Sequence, residues 1–151
     1  MLDYMLLPFR RYAEFSGRSR RMEFWSFSLL NLIVVMVLMG AAFGSGFSYR
    51  ALVMGNEAAS GIGAVTMILF GLLGLYGLAV LVPTIAVTVR RFHDRDMSGW
   101  WYLGFIVLGL IPLVGWIASI AQLVIMFLPG TPGHNRFGAD PKDPSGADVF
   151  A

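Results

Sequence analysis

The chain has 151 residues, of which 57% are apolar and only 13% charged, with a net charge of +2 and no cysteine. Disorder is excluded because it requires low hydrophobicity and high charge; the missing cysteines exclude a disulfide framework, a thiolate metal site and a cysteine nucleophile. An ordinary water-soluble domain, about 45–50% apolar and about 25% charged, is a poor match, and 11 basic against 9 acidic side chains is too small an excess to point to nucleic acid.

The first element is marked by Leu2, Met5, Leu6, Phe9, Tyr12 and Ala13 at three- and four-residue spacing, with Arg10, Arg11 and Glu14 off that stripe. This predicts a short amphipathic helix lying in the membrane interface, with Pro8 close enough to its start to be tolerated. The break falls at Ser16-Gly17, and Ser19 stands where an N-cap for the next helix is expected.

Three long stretches then carry no charged side chain: Phe24 to Tyr49, Ala58 to Val89 and, with His134 neutral, Met97 to Asn135. A chain this short has too little other mass to cover them, whereas about 20 apolar helical residues cross the roughly 30 Å hydrocarbon layer of a bilayer. Lipid offers the backbone no hydrogen-bond partners, so the stretches are expected to be helices, at about 24–43, 62–89 and 100–128. The first is read as a retained helix rather than a cleaved signal: the segment before it is long and contains Asp3, Glu14 and Glu23, and the apolar run exceeds a signal's 7–15 residues. Arg10, Arg11, Arg18, Arg20 and Arg21 precede the first stretch, and Arg90, Arg91 and Arg95 follow the second. The loop at 44–61 holds only Arg50, balanced by Glu57. Positive-inside counting therefore places the N-terminus and the 90–99 loop in the cytoplasm and the 44–61 loop outside.

The third stretch is too long for one ordinary span. Its centre reads Gly109-Leu110-Ile111-Pro112-Leu113-Val114-Gly115, where proline breaks the helix ladder and glycine permits sharp bending. One arrangement is a single kinked span; the other is a hairpin of two short helices that returns the tail to the cytoplasm. Arg136 and Lys142 in the tail favour the hairpin. The expected fold class is thus an all-α integral membrane bundle of three or four membrane helices with an N-terminal interfacial helix. It forms one domain over 1–141, followed by a disordered end at 142–151.

Three motifs occur together: Phe15-x-Gly17-Arg18-x-x-Arg21-x-Glu23-Phe24-Trp25; Pro83 followed by Arg90-Arg91-Phe92-His93-Asp94 and Ser98-Gly99-Trp100-Trp101; and Pro129-Gly130-Thr131-x-Gly133-x-Asn135-Arg136-Phe137-Gly138-x-Asp140-Pro141. In this order the set resembles the small bacterial inner-membrane proteins grouped as domain of unknown function 805, the YhaH-like family, over roughly residues 10–141. The resemblance implies a multi-pass bacterial inner-membrane protein without an established activity. Phe92 stands where the family carries leucine, and Arg95-Asp96-Met97 departs from the family's turn and the arginine that follows it.

On a helix continuing past Val89, Arg90 and Asp94 are four apart, and Arg91–Asp94 and His93–Asp96 are three apart, all within pairing reach. Adjacent His93 and Asp94 point about 100° apart and cannot chelate one metal together, so no metal and no cofactor is expected. Arg18, Arg21, Arg90 and Arg91 are the candidate contacts for anionic lipid headgroups, because guanidinium groups bind phosphate bidentately and the inner leaflet is anionic. Glu23, His93, Asp94, Asn135 and Arg136 are the candidate structural or partner-pairing residues, with Glu23 placed to pair with Arg90 or Arg91. Gly71, Gly74, Gly77 and Gly40-x-x-x-Gly44 mark small-residue faces suited to close helix packing, expected first within the chain.

The leading functional expectation is a non-enzymatic inner-membrane protein with an arginine-rich cytoplasmic face that binds anionic lipid or a membrane partner. One alternative is a transporter or channel component acting as an oligomer. That reading is disfavoured by the absence of an acid or base inside the spans. Another is a membrane-embedded hydrolase or transferase using His93 and Asp94. Expected partners are membrane lipids and a second copy or another membrane protein, with no nucleic acid.

Overall fold

The computed structural model describes residues 2–44 and 57–142. Most of the loop expected outside the membrane, and the end expected to be disordered beyond Lys142, lie outside the described residues. Five helices follow in order: α1 Leu2–Arg10, α2 Arg21–Gly44, α3 Glu57–His93, α4 Trp100–Gly109 and α5 Val114–Phe127. The described residues contain no strand beyond an isolated bridge between Asn135 and Gly138.

The two long helices cannot be the core of a soluble protein. In their most apolar windows only 11% of α2 and 6% of α3 is buried inside the protein, whereas a soluble core helix of that hydropathy would be mostly covered. Helix α3 continues beyond the expected boundary at Val89 and carries Arg90, Arg91 and His93 in its last turn, where cations complement the negative end of the helix dipole. Helix α2 begins at Arg21, and Phe24 N–H donates to the Arg20 carbonyl (3.2 Å). The N-cap position is therefore Arg20 rather than the expected Ser19. Ser19 is instead fully buried, with its backbone N–H given to the Arg90 carbonyl (3.1 Å).

Contacts divide the chain into two units. One, Ser28–Leu81, takes most of α2 and α3. Within it the Tyr76 hydroxyl donates to Asn31 Oδ1 (2.7 Å). Phe43 and Phe70 meet edge to face at 6.3 Å, and Met36, Val37, Met67, Leu75 and Leu78 are exposed. The expectation that its glycines serve close packing within the chain is not met. A Cβ placed on Gly40, Gly44, Gly71, Gly74 or Gly77 would meet nothing within 4 Å.

The other unit takes Met1–Phe27 and Val82–Ala151. The third apolar stretch is broken here as the glycine–proline pattern predicts, and α4 and α5 pack against each other. At the base of that pair a Cβ on Gly115 would fall 2.7 Å from the Gly109 carbonyl oxygen, so this approach requires glycine. The connection closes at Pro112-Leu113-Val114, where Val114 N–H donates to the Pro112 carbonyl (2.8 Å) and Leu113 has φ +65°, a tight turn strained for a residue with a Cβ. Phe9 packs edge-on against Phe27 (5.3 Å), Trp25 stacks on Phe127 (4.1 Å) and Phe92 on Phe105 (5.8 Å). Pro8 lies inside α1 and is buried.

Candidate functional site

The end of α3 collects the three sequence motifs into one buried cluster. Arg18, Glu23, Arg90, Arg91 and Asp94 are each at most 6% exposed. Charges so far from water persist only when paired and hydrogen-bonded, and the pairing is specific. Arg18 Nε donates to Asp94 Oδ1 (3.0 Å), and Arg91 Nη1 donates to Asp94 Oδ2. Asp94 thus bridges a guanidinium from the N-terminal segment and one from its own helix. Glu23, at the start of α2, accepts from Arg90 Nη2 at 3.0 Å. The expected Arg91–Asp94 pair forms, and Glu23 selects Arg90. The pairing of Arg90 with Asp94 does not occur, because Arg18 and Arg91 hold that carboxylate.

Backbone carbonyls take the remaining donors. Arg18 Nη1 donates to the Gly133 carbonyl (2.6 Å) and Nη2 to the Thr131 carbonyl (2.5 Å). The last carbonyls of α5, which have no partner inside their own helix, face cations and an indole. Arg91 donates to Leu128 and, through Nε at 3.4 Å, to Met126; Arg21 donates to Phe127 (3.2 Å) and Trp25 Nε1 to Met126 (3.4 Å). Cations at a helix C-terminus also meet the negative end of its dipole. The tail then folds over the α3 terminus. Thr131 N–H donates to the Asp94 carbonyl (2.8 Å), Asn135 Nδ2 to the His93 carbonyl (2.9 Å) and Arg136 Nη2 to the Asp96 carbonyl (2.6 Å). Gly130 must be glycine, because a Cβ there would overlap the Asp94 carboxylate. Gly17, at φ +80°, turns the chain into Arg18.

His93 takes no part in the ion pairs. Its Nδ1 lies 3.2 Å from the Gly17 carbonyl, and its ring stacks on Phe137 at 3.9 Å. It does not pair with Asp96, which faces Arg136 (3.1 Å). Among the described residues no three His, Asp or Glu side chains come together in a way that could hold a metal ion. Outside the cluster, Gly133 N–H and Lys142 N–H donate to the Asp140 carboxylate; the Lys142 bond is the main cause that holds its carboxyl below the usual value.

The sequence pointed to Arg18, Arg90, Arg91, Glu23, His93, Asp94, Asn135 and Arg136, and the structure brings all eight to the end of α3. Arg21 sits at the rim. Sequence reasoning missed Phe137 as the stacking partner of His93 and Arg95, whose Nη1 donates to the Pro129 carbonyl (2.5 Å). It also missed the acceptors at Met126, Leu128, Thr131 and Gly133. A backbone carbonyl leaves no mark in residue identity; the only available signal was the density of glycine and proline at 129–141.

Two long apolar helices left mostly bare, and a desolvated ionic cluster at the end of α3, are the marks of a helical membrane protein. The chain belongs to the family described as "Protein of unknown function (DUF805)", whose model matches residues 12–139. It is 40% identical over 141 residues to the inner membrane protein YhaH of Escherichia coli strain K12, covering 93% of this chain and 98% of that protein. It is 37% identical over the same length to inner membrane protein YhaI of that strain, covering 97% of the relative. A shorter match, 34% over 82 residues, joins it to the uncharacterized protein YiiR of the same strain. No solved structure matches. With its relatives, the chain is a protein of the bacterial inner membrane.

Proposed function

We propose that this is a non-enzymatic, multi-pass inner-membrane protein whose N-terminus and ionic cluster lie on the cytoplasmic side, where the cluster's outer rim holds anionic phospholipid headgroups. In this reading α2 and α3 span the bilayer. The 37 residues of α3 extend about 55 Å, enough to cross the hydrocarbon and carry Arg90 and Arg91 to the headgroup level. The α4–α5 hairpin enters from the same side, and α1 lies in the interface.

The observation that carries the proposal is the segregation of the cations. Arg18, Arg90 and Arg91 are buried and matched with carboxylates. Arg20 and Arg21, at the entrance of α2, have no carboxylate within pairing distance among the described residues. Among the described residues Arg20 reaches the Tyr4 hydroxyl (3.5 Å) and Arg21 the Phe127 carbonyl. Of the four arginines expected to meet lipid, three therefore build the face and Arg21 presents it, with Arg20 beside it in sequence and Arg10 exposed at the end of α1. Unpaired surface cations next to an anionic leaflet contribute about 1 kcal/mol each to attraction.

The test is native-lipid analysis of the purified chain. The Arg10/Arg20/Arg21→Gln variant is expected to lose most of the co-purifying anionic phospholipid while retaining zwitterionic lipid. Unchanged anionic lipid in that variant overturns the proposal.

A further inference from the structure

Beside the ionic cluster lies a second feature that the headgroup reading does not use. Between the last turns of α3 and the start of α4 a cleft of about 570 Å³ opens, within the usual size for a small-molecule site, about 300–1,000 Å³. Its wall is apolar, with Phe15, Ile85, Val89, Leu103 and Ile106 among the lining residues, and it contains no lysine, arginine or carboxylate. Four side chains with hydrogen-bonding groups line it: His93, Ser98, Tyr102 and Trp100, whose indole N–H can only donate.

The hydrogen bonds of His93, Ser98 and Tyr102 decide what can bind. The Gly17 carbonyl can only accept, so the 3.2 Å contact at His93 Nδ1 puts the ring proton on Nδ1 and leaves Nε2 as an acceptor in the neutral imidazole. No described residue donates to Nε2. The Tyr102 hydroxyl has no protein partner among the described residues. Ser98 Oγ accepts from the Trp100 N–H (3.4 Å), and its own proton remains unassigned to a partner. The wall thus offers one fixed acceptor, two hydroxyls that can donate and the Trp100 indole N–H, inside an apolar, uncharged surface. A group that both donates and accepts satisfies it, and a hydroxyl is the smallest neutral one. An anion would place a lone pair against Nε2, and a bare hydrocarbon would leave the polar groups unpaired, each at the desolvation penalty of a buried unsatisfied group.

We propose that this cleft binds a hydroxyl-headed lipid, a long apolar chain ending in a neutral alcohol, taken from the surrounding bilayer. The hydroxyl donates to His93 Nε2 and accepts from Tyr102 or Ser98, and the chain lies along Ile85, Val89 and Ile106. The inference rests on membrane embedding but not on headgroup binding by Arg21; the two fail separately, because no arginine lines the cleft.

The test uses the full chain in phosphatidylcholine nanodiscs and a diazirine-bearing long-chain primary alcohol, with labelled peptides identified by mass spectrometry. Labelling is expected on the last turns of α3 and on α4, and hexadecanol is expected to displace the probe at least about fivefold better than hexadecane or palmitate, the ratio that one net hydrogen bond of about 1 kcal/mol gives. Tyr102→Phe, which keeps the ring and removes only the hydroxyl, is expected to weaken labelling by up to about fivefold. Ile85→Trp, which fills the cleft, is expected to abolish it. Hexadecane competing as well as hexadecanol would show generic packing of acyl chains and overturn the proposal. Stronger competition by palmitate would show an anion site and overturn it as well, as would unchanged labelling in a folded Ile85→Trp protein.

Discussion

Within Ser28–Leu81 the paired polar groups include one tyrosine and one asparagine, and large apolar side chains point outward. In the unit formed by the two chain ends, three arginines and two carboxylates are inside, and the largest fully buried side chains are arginines. The first pattern is specified by its solvent: it needs a surrounding medium without hydrogen bonds, and almost any apolar side chain serves on its surface. The second is specified by its partners. Each buried charge has a named counter-ion, and exchanging one residue strands another. Sequence tolerance should therefore differ sharply between the two, and single substitutions can break or sharpen that contrast.

The largest effect is expected at Asp94, whose carboxylate is shared by Arg18 and Arg91. Asp94→Asn removes the one negative charge between two buried cations, and breaking a buried pair in this way costs about 3–5 kcal/mol. Thermal unfolding in mild detergent should show that loss, and limited proteolysis should cut near 129–140, since Arg18, which holds the Thr131 and Gly133 carbonyls, would lose its carboxylate anchor. A melting curve that overlays the parent's would mean that the cluster is held by its carbonyl acceptors alone, and the contrast between the units would fail.

Glu23→Gln should come next, at about 3 kcal/mol, the lower end for a broken buried pair. Arg90 already has two buried nitrogens, Nε and Nη1, without a hydrogen-bond partner. Losing the Glu23 charge removes the carboxylate that pairs with the guanidinium. Glu23→Asp in the same melt is the control: it retains the charge with a shorter reach and should recover part of the loss. Gly130→Ala tests the packing of the tail rather than its charge. The added methyl overlaps the Asp94 carboxylate, and overpacking of this kind costs about 1–3 kcal/mol. The measurement is again the melt, with Gly133→Ala for comparison: there a Cβ has open space but the backbone sits at φ +71°.

These positions also show why parts of the molecule were legible in the sequence. The charge-free stretches predict α2 and α3 because a bilayer demands length and hydropathy, both one-dimensional properties. Gly109, Pro112 and Gly115 predict the break between α4 and α5 for the same reason. The pairing of Glu23 with Arg90 was readable as one of two choices, since opposite charges near the ends of neighbouring spans have few other partners. That Asp94 serves Arg18 as well as Arg91 was not readable. It depends on where the turn at Gly17 delivers the N-terminal segment, a three-dimensional fact carried by a positive φ. Ser19 misled because its position matched an N-cap, while tertiary contact with the Arg90 carbonyl had the stronger claim on its backbone.

The smallest effect is expected at Tyr76, and it is the most direct test of the other side of the comparison. Its hydroxyl bond to Asn31, at 2.7 Å, is short and well formed, so geometry alone would rank it beside the arginine contacts. Between membrane helices, however, such bonds average only about 0.6 kcal/mol, because the separated helices also find partners in the membrane. Tyr76→Phe deletes the hydroxyl and little else, and the melt should move by no more than that amount. A double-mutant cycle with Asn31→Ala isolates the coupling from any other contact Asn31 makes. A coupling energy near that of the Glu23–Arg90 pair would show that polar partnership specifies the helix pair as strongly as it does the ionic cluster, and that its bare apolar surface is not what defines it.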